Sequence, residues 1–303
     1  MEENKKGMSD AELAGALVKL ERIHFIGTVL VILSVIAGVA VGVLLHDVRF
    51  GLAAFFVLIA AGILIGSSAS KKRRTLLHSQ LGGFFASEFE NFFGKDVIPD
   101  GYGISEADIR ASEIIDYPFE TCEIKNLHGG MFGGKAFSAA NATLTHTFEE
   151  NPGRDDNMTR TVNVLDGLYA VCETGITLSS PVILRAKPSE FGSQYTSLDS
   201  RFEVASGVGE DVRRVFTEPL RTLCDELCGG NSPLLGGGSA IIGMVFTGGR
   251  LIIAANTRYA FADVSESRAV MNADEARAYY RESLEHMTKL LERINAYVSA
   301  VSD

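Results

Sequence analysis

The chain has 303 residues, of which 46% are hydrophobic, and its 38 acidic residues outnumber its 28 basic residues. Nine of the basic residues but only six of the acidic ones lie in residues 1–74, so residues 75–303 carry a formal net charge of −13. Because nucleic acid repels so acidic a segment, the charge excludes nucleic acid as its partner.

Two uncharged stretches, residues 25–45 and 50–70, lie almost back to back near the N-terminus. A bilayer core of about 30 Å requires roughly 20 apolar residues in a helix. Each stretch is therefore long enough to cross once, and residues 46–49 suffice for a tight turn. A signal peptide is excluded for two reasons. The apolar run of a signal peptide is shorter than residues 25–45, and in this chain a second span follows directly. The sequence predicts a transmembrane helical hairpin over residues 25–70.

Basic residues lie at both ends of the hairpin, and the turn brings these two ends to the same side of the membrane. They are Lys5, Lys6, Lys19 and Arg22 before it, and Lys71, Lys72, Arg73 and Arg74 after it. The turn contains only Arg49, beside Asp47. Since basic loops stay in the cytoplasm, we expect the tail 1–24 and the C-terminal part to be cytoplasmic, on the inner face of a bacterial membrane. We expect the Lys71–Arg74 cluster to contact lipid headgroups.

Small residues recur four apart in both spans: Ser34, Gly38 and Gly42 in the first, and Gly62 and Gly66 in the second. Such spacing lets helix backbones approach closely. The contact could join two copies of the chain, but the short turn favours packing within one hairpin. Neither span contains Asp, Glu, Lys or Arg, which argues against an ion channel or pump.

Residues 71–100 form a juxtamembrane region with a helix predicted over 75–94. Its apolar face consists of Leu77, Leu81, Phe85, Phe89 and Phe92. This helix could lie on the membrane or pack on the domain that follows. Its polar face has Glu88 and Glu90 and no basic residue, which favours packing.

The sequence predicts one cytoplasmic domain over residues 101–303. Ser105 with Asp108 predicts a helix over 106–115. Alternating apolar residues then predict four strands, at 117–126, 135–148, 160–173 and 176–186. Polar loops are predicted at 149–159 and 187–198.

The C-terminal third alternates between strands and helices. The predicted elements are a strand at 201–206, a helix at 209–216, a helix from Thr217 to Gly229, a hairpin of 240–246 with 250–256, and a helix opened by Asn272. The last helix has an apolar stripe of Tyr280, Leu284, Met287, Leu291, Ile294, Val298 and Val301. The stripe fits a coiled-coil seam between two copies, but packing on the sheet is favoured. The fold class is therefore α+β, a mostly antiparallel sheet with packing helices.

Residues 129–136 approach a phosphate-binding loop, with Gly129, Gly134 and Lys135 in place. Ala136 lacks the hydroxyl that would hold Mg²⁺, and a strand rather than a helix follows, so a hairpin turn is predicted instead. Cys224 and Cys228 are four apart but have no matching Cys or His pair, which predicts free thiols rather than a metal site. No catalytic residue and no cofactor is predicted.

Several short sequence segments resemble those of an uncharacterised bacterial family called domain of unknown function 3137. They are Arg201-Phe202-Glu203-Val204-Ala205-Ser206, Asp211-Val212-Arg213-Arg214, Thr217-Glu218-Pro219-Leu220 and Leu165-Asp166-Gly167-Leu168-Tyr169. The resemblance spans roughly residues 20–300 and implies two N-terminal spans followed by this order of elements. The family has no established activity or catalytic residues to transfer.

The sequence thus predicts a membrane-anchored protein with a cytoplasmic domain that binds or scaffolds a protein partner. Its expected partners are the lipid bilayer, an unknown protein and, as an open alternative, a second copy of the chain. The other hypothesis is an enzyme that acts on a lipid or envelope precursor at the inner membrane face. A pocket lined by ionisable residues would favour the enzyme, and an apolar patch or an open sheet edge would favour binding.

Overall fold

The computed structural model describes residues 8–44, 46–150, 158–186, 202–228, 232, 234–235, 240–257, 259–264 and 272–302. The chain forms two compact units, which we describe separately. The first contains residues up to 85 together with 264–280, and the second contains 86–263 and 281–303. The predicted loop 187–198 and most of the predicted loop 149–159 lie outside the described residues.

The first unit is built on two long helices, α1 (Asp10–Leu44) and α2 (Val48–Phe93). Helix α1 begins inside the predicted tail 1–24, because Ser9 and Glu12 form a capping box: the Glu12 N–H donates to Ser9 Oγ, and the Ser9 N–H donates to the Glu12 carboxylate. Helix α2 runs through the second span and the predicted helix 75–94 without a break. Its Lys71–Arg74 cluster is helical, since lysine and arginine favour helices.

The N-terminal part of α1 and the part of α2 that follows the second predicted span pack with the first turns of the last helix, α6 (Ala273–Ser302). The apolar side chains buried in this unit are Leu13, Leu17, Leu77, Leu81, Phe85, Ala276 and Tyr280. The Phe85 and Tyr280 rings stack with centroids 4.4 Å apart. Arg277 forms an ion pair with Asp10 at 3.1 Å. The aromatic face of residues 75–94 therefore packs on protein, as the sequence favoured.

The second unit contains a seven-stranded sheet. Its strands are β1 (Thr121–Phe132), β2 (Lys135–Glu150), β3 (Met158–Glu173), β4 (Val182–Ala186), β5 (Phe202–Ser206), β6 (Ala240–Thr247) and β7 (Arg250–Asn256). The strand order is β1-β2-β3-β7-β6-β4-β5, and every neighbouring pair is antiparallel. The α+β fold with a mostly antiparallel sheet is confirmed.

One face of the sheet is covered by the segment around the short helix α3 (Glu106–Ala111). Ile109, Ile114 and Phe119 from this segment share a buried cluster with Leu144 and Tyr169 of the sheet. Ser105 caps α3 through its predicted contact with Asp108, but the helix ends at Ala111 rather than at residue 115.

The opposite face is covered by helices. After α4 (Gly209–Val215) and α5 (Glu218–Cys228), helix α6 lies over the sheet, where the Tyr297 and Phe246 rings meet at 5.8 Å. From Leu284 to Val298 the predicted apolar stripe of α6 is buried within one chain, and Leu284, Leu290 and Ile294 are at most 1% exposed. This burial agrees with the interpretation that the stripe packs on the sheet.

Two glycine turns connect strands as predicted. Gly133 and Gly134, with φ of +59° and +78°, join β1 to β2, and Gly248 with Gly249 joins β6 to β7. Positive φ at both central residues defines the tight hairpin turn that glycine permits. The prediction that Lys135 opens a strand is confirmed. The first strand is predicted too early, because residues 117–120 precede it and Gly129 and Gly130 belong to it.

Candidate functional site

The first candidate surface is the apolar exterior of α1 and α2. Both helices are long and apolar enough to cross a membrane, and only 11% of the most apolar window of each is buried. The exposed side chains include Phe25, Val39, Val57 and Leu64, each more than 60% exposed. The two-span prediction therefore corresponds to two helices of the required length and composition.

The predicted packing residues lie where α1 contacts α2. A Cβ atom on Gly62 would lie 2.6 Å from the Gly27 carbonyl oxygen, and one on Gly38 would lie 3.1 Å from that of Gly51. Gly66 and Gly42 also face the other helix, with looser spacing, and Ser34 is fully buried. The contact uses Gly27 and Gly51 as well, which the four-residue spacing did not reveal.

The predicted headgroup cluster divides in two. Lys71 and Lys72 are exposed and Arg74 is partly exposed, whereas Arg73 is only 6% exposed. Burial lowers the pKa of the Arg73 guanidinium, and the charge of Glu21 on α1 opposes that effect. Burial leaves Arg73 little surface for a lipid headgroup. The predicted headgroup role therefore remains for Lys71, Lys72 and Arg74.

A second candidate site is a group of ionisable side chains at the end of the sheet that carries the two glycine turns. It consists of Tyr102, Lys135, Glu173 and Arg250. The Glu173 carboxylate accepts a hydrogen bond from the Ala136 N–H at 2.8 Å, and the Arg250 guanidinium lies 5.9 Å from the Tyr102 ring centre. Arg250 also donates to the Gly101 carbonyl.

Burial shifts two groups of this cluster. The pKa of Lys135 is lowered by burial, with the Glu173 charge acting against the shift, and the pKa of Tyr102 is raised by burial and by Glu173. A neutral tyrosine, a lysine and a carboxylate can bind a polar ligand or exchange a proton. No sequence motif marks Tyr102 or Glu173. Glu173 interacts with Lys135 because β3 pairs with β2, and Tyr102, in the segment before α3, interacts with Glu173 and Arg250.

A third polar cluster joins the end of α2 to the edge of β1. His128 Nδ1 lies 2.6 Å from the Asp96 carboxylate, which also accepts from the Gly129 N–H. The Val97 N–H donates to the Gly129 carbonyl at 3.0 Å. Because these bonds cover part of the β1 edge, we assign His128 and Asp96 a structural role.

Asp211, in one of the strings of the family resemblance, also has a structural role. Its carboxylate accepts hydrogen bonds from the backbone N–H and hydroxyl groups of Ser179 and Ser180, at 2.5 to 3.2 Å. The hydrogen bond from the Ser179 hydroxyl is the main cause that lowers the pKa of Asp211. Arg214 donates to the Thr177 carbonyl at 2.8 Å. Together these bonds attach α4 to the segment before β4.

The fourth candidate surface is a two-stranded ribbon. Residues 146–150 of β2 pair with 158–162 of β3 beyond the last paired residue of β1, Thr121, and beyond the end of β7. One face continues the core face of the sheet and exposes Phe148 by 37% and Met158 by 66%. The other face is polar and joins Thr147 to Thr161 through their hydroxyls, 3.0 Å apart.

The structure also bears on metal and cavity sites. Among the residues that the structure describes, no group of three or more His, Cys, Asp and Glu side chains could hold a metal ion. Among the described residues, Cys122, Cys172 and Cys224 form no disulfide. A cavity beside Tyr259 and His286 has about 20 Å³, room for one water molecule. The larger clefts lie on the hairpin and are lined mainly by apolar side chains.

Comparisons with family models, curated proteins and solved structures find no match for the chain. The resemblance to domain of unknown function 3137 therefore stays a prediction.

Proposed function

We propose that the chain is an integral protein of a bacterial inner membrane with both termini in the cytoplasm, and that its sheet-containing unit binds a protein partner there. The exposure of α1 and α2 is the single observation that carries the membrane part. A core helix of a soluble protein would be mostly buried, whereas the most apolar windows of these helices are 11% buried. The basic flanks support the orientation.

The ribbon supports a binding role for the sheet-containing unit. Phe148 and Met158 continue the core face of the sheet and are 37% and 66% exposed, with the His146 ring stacked on Phe148 at 6.0 Å. Exposed apolar side chains on a protruding strand pair form a surface that a protein partner can cover. Because residues 75–303 carry a net charge of −13, a basic partner surface fits best.

The matched variants Met158→Ser and Met131→Ser test this binding role. Both methionines are exposed on strands, by 66% and 51%, but only Met158 lies on the ribbon. We expect a partner that co-purifies with the full chain from membranes to be lost with Met158→Ser and kept with Met131→Ser. Equal recovery with both variants would contradict the assignment to the ribbon, and the absence of any stoichiometric partner would contradict the binding proposal.

The cluster of Tyr102, Lys135 and Glu173 favours a second candidate function, an enzyme acting on a lipid or envelope precursor. The full chain would be incubated in vesicles that contain a labelled lipid-linked precursor. Turnover that is abolished by Lys135→Ala but not by Lys289→Ala, a change at an exposed lysine of α6, would establish the enzyme. The binding proposal expects no turnover.

A further inference from the structure

A groove opens along one side of the hairpin where the predicted spans meet the cytoplasmic flanks. Its free space is about 620 Å³, its open side included. It is lined by Leu20 and Ile23 of α1 and by Leu64, Ile65, Ser68 and Lys72 of α2.

The groove changes from apolar to charged along its length. Leu64 and Ile65 lie inside the predicted span 50–70, Ser68 lies near its end, and Lys72 lies two residues beyond it. Lys72 lies eight positions after Leu64, which is about 12 Å along a helix. The apolar part therefore lies at the depth of lipid chains and the ammonium at the depth of headgroups.

Lys72 and its neighbour Arg73 are both basic but differ in exposure and in their acidic neighbours. Arg73 is buried and interacts electrostatically with Glu21, whereas Lys72 is exposed at the mouth of the groove. None of the side chains that line the groove is acidic. Lys19, next to Leu20, is exposed and adds a second positive charge to this end of α1. The mouth is therefore suited to an anion.

We propose that this groove binds one anionic phospholipid, with its phosphate at Lys72 and Ser68 and an acyl chain along Ile23, Leu64 and Ile65. The proposal rests on the membrane insertion proposed above and adds a defined lipid site to it. A free phosphate ion would leave the apolar floor uncovered, and an apolar helix would leave the lysine without a counter-charge. A phospholipid satisfies both ends of the groove.

The test uses the full chain in nanodiscs of phosphatidylcholine with a minor fraction of phosphatidylglycerol. Native mass spectrometry counts the lipid molecules that each chain retains after its release from the nanodisc. Two pairs of variants separate the groove from the general basic surface: Lys72→Gln against Lys71→Gln, and Ser68→Phe against Ser67→Phe. Lys71 and Ser67 are exposed on the same helix and do not line the groove.

We expect the unchanged chain to retain phosphatidylglycerol in preference to phosphatidylcholine. Lys72→Gln should reduce that retention about fivefold, the effect of one lysine at a headgroup. Ser68→Phe should reduce it as much by filling the groove without a change of charge, and both control variants should behave as the unchanged chain.

Equal effects of Lys71→Gln and Lys72→Gln, or an unaffected Ser68→Phe variant, would overturn the site in favour of diffuse attraction. Displacement of the lipid by inorganic phosphate or by glycerol 3-phosphate would show a site for a free anion instead. Extraction of the chain from membranes by alkaline carbonate would contradict membrane insertion itself. A chain that resists carbonate but retains no phosphatidylglycerol contradicts only the groove proposal.

Discussion

Single residues secure α4 through contacts that no local pattern encodes. Asp211 lies about 30 positions from Ser179 and Ser180, yet its carboxylate accepts their four hydrogen bonds. The sequence indicated only that Asp211 belongs to a helix. Arg214 of the same helix donates to the Thr177 carbonyl. Such contacts depend on the path of the chain, which periodicity does not specify.

Replacing Asp211 with Asn should lower the thermal unfolding midpoint by several degrees at pH 7, because an amide cannot accept from all four donors. The folded state lowers the pKa of Asp211, so its contribution is present above the usual carboxyl pKa and is lost as pH falls through the lowered one. The midpoint of the unchanged chain should therefore fall more steeply below pH 4 than that of Asp211→Asn. Circular dichroism melts of the two proteins in detergent measure this difference.

Asp100→Asn, a change at an exposed carboxyl, is the control and should leave both midpoint and pH dependence unchanged. Parallel acid profiles for the unchanged chain and Asp211→Asn would show that the four hydrogen bonds do not act on the carboxylate as described.

Whole elements were more accessible to prediction than single contacts. Hydrophobic period and glycine turns located most strands and helices, because these signals lie within the element itself. The continuity of α2 was missed because the Lys71–Arg74 cluster marks a boundary in hydropathy but not in helix propensity. The start of α1 had a signal that was overlooked, the Ser9–Glu12 capping pair. The site with Tyr102 and Glu173 had no local signal, because it combines two neighbouring strands with the segment before α3.

Two glycines of α2 should respond oppositely to alanine. At Gly82 a Cβ would meet nothing within 4 Å, so Gly82→Ala should stabilise the helix by about 0.5–1 kcal/mol. At Gly62 a Cβ would lie 2.6 Å from the Gly27 carbonyl oxygen and 2.7 Å from Val31, so Gly62→Ala should force the helices apart and lower stability. Unfolding of the full chain in micelles by a denaturing detergent gives both changes. Equal behaviour of the two variants would contradict the close contact of α1 with α2.

Helix α6 should be anchored by its buried stripe within a single chain. Leu291 is 4% exposed, so Leu291→Ala should cost about 2–5 kcal/mol of folding free energy. Leu291→Asp should unfold the sheet-containing unit, because a carboxylate would be buried without a partner. Leu291→Met, which keeps volume and polarity, is the control and should cost less than about 1.5 kcal/mol. A folded monomer of Leu291→Asp obtained from a dimeric unchanged chain would show that the stripe is an interface between copies.

At the scale of the whole molecule, charge and hydropathy together predict the orientation in the membrane. Lys19, Arg22 and the Lys71–Arg74 cluster lie on one side of the predicted spans, and Arg49 lies on the other beside Asp47, to whose carboxylate its N–H donates at 2.9 Å. Moving the basic side across a membrane would cost far more than moving the turn. This asymmetry is present in the sequence and requires no knowledge of the fold, whereas the ribbon is recognised only once the pairing of β2 with β3 is known.

The resulting topology can be tested in intact cells. In a chain whose four native cysteines are replaced by serine, a cysteine at Val48 should react with a membrane-impermeant maleimide, because the proposed orientation places the turn outside. A cysteine at Glu149, on the ribbon, should react only after the membrane is permeabilised, and a reporter fused after Asp303 should behave as cytoplasmic. Labelling of the Glu149→Cys chain from outside, with the Val48→Cys chain protected, would reverse the orientation. It would also place Lys72 and its groove at the outer leaflet, so one experiment constrains both the anchor and the lipid site.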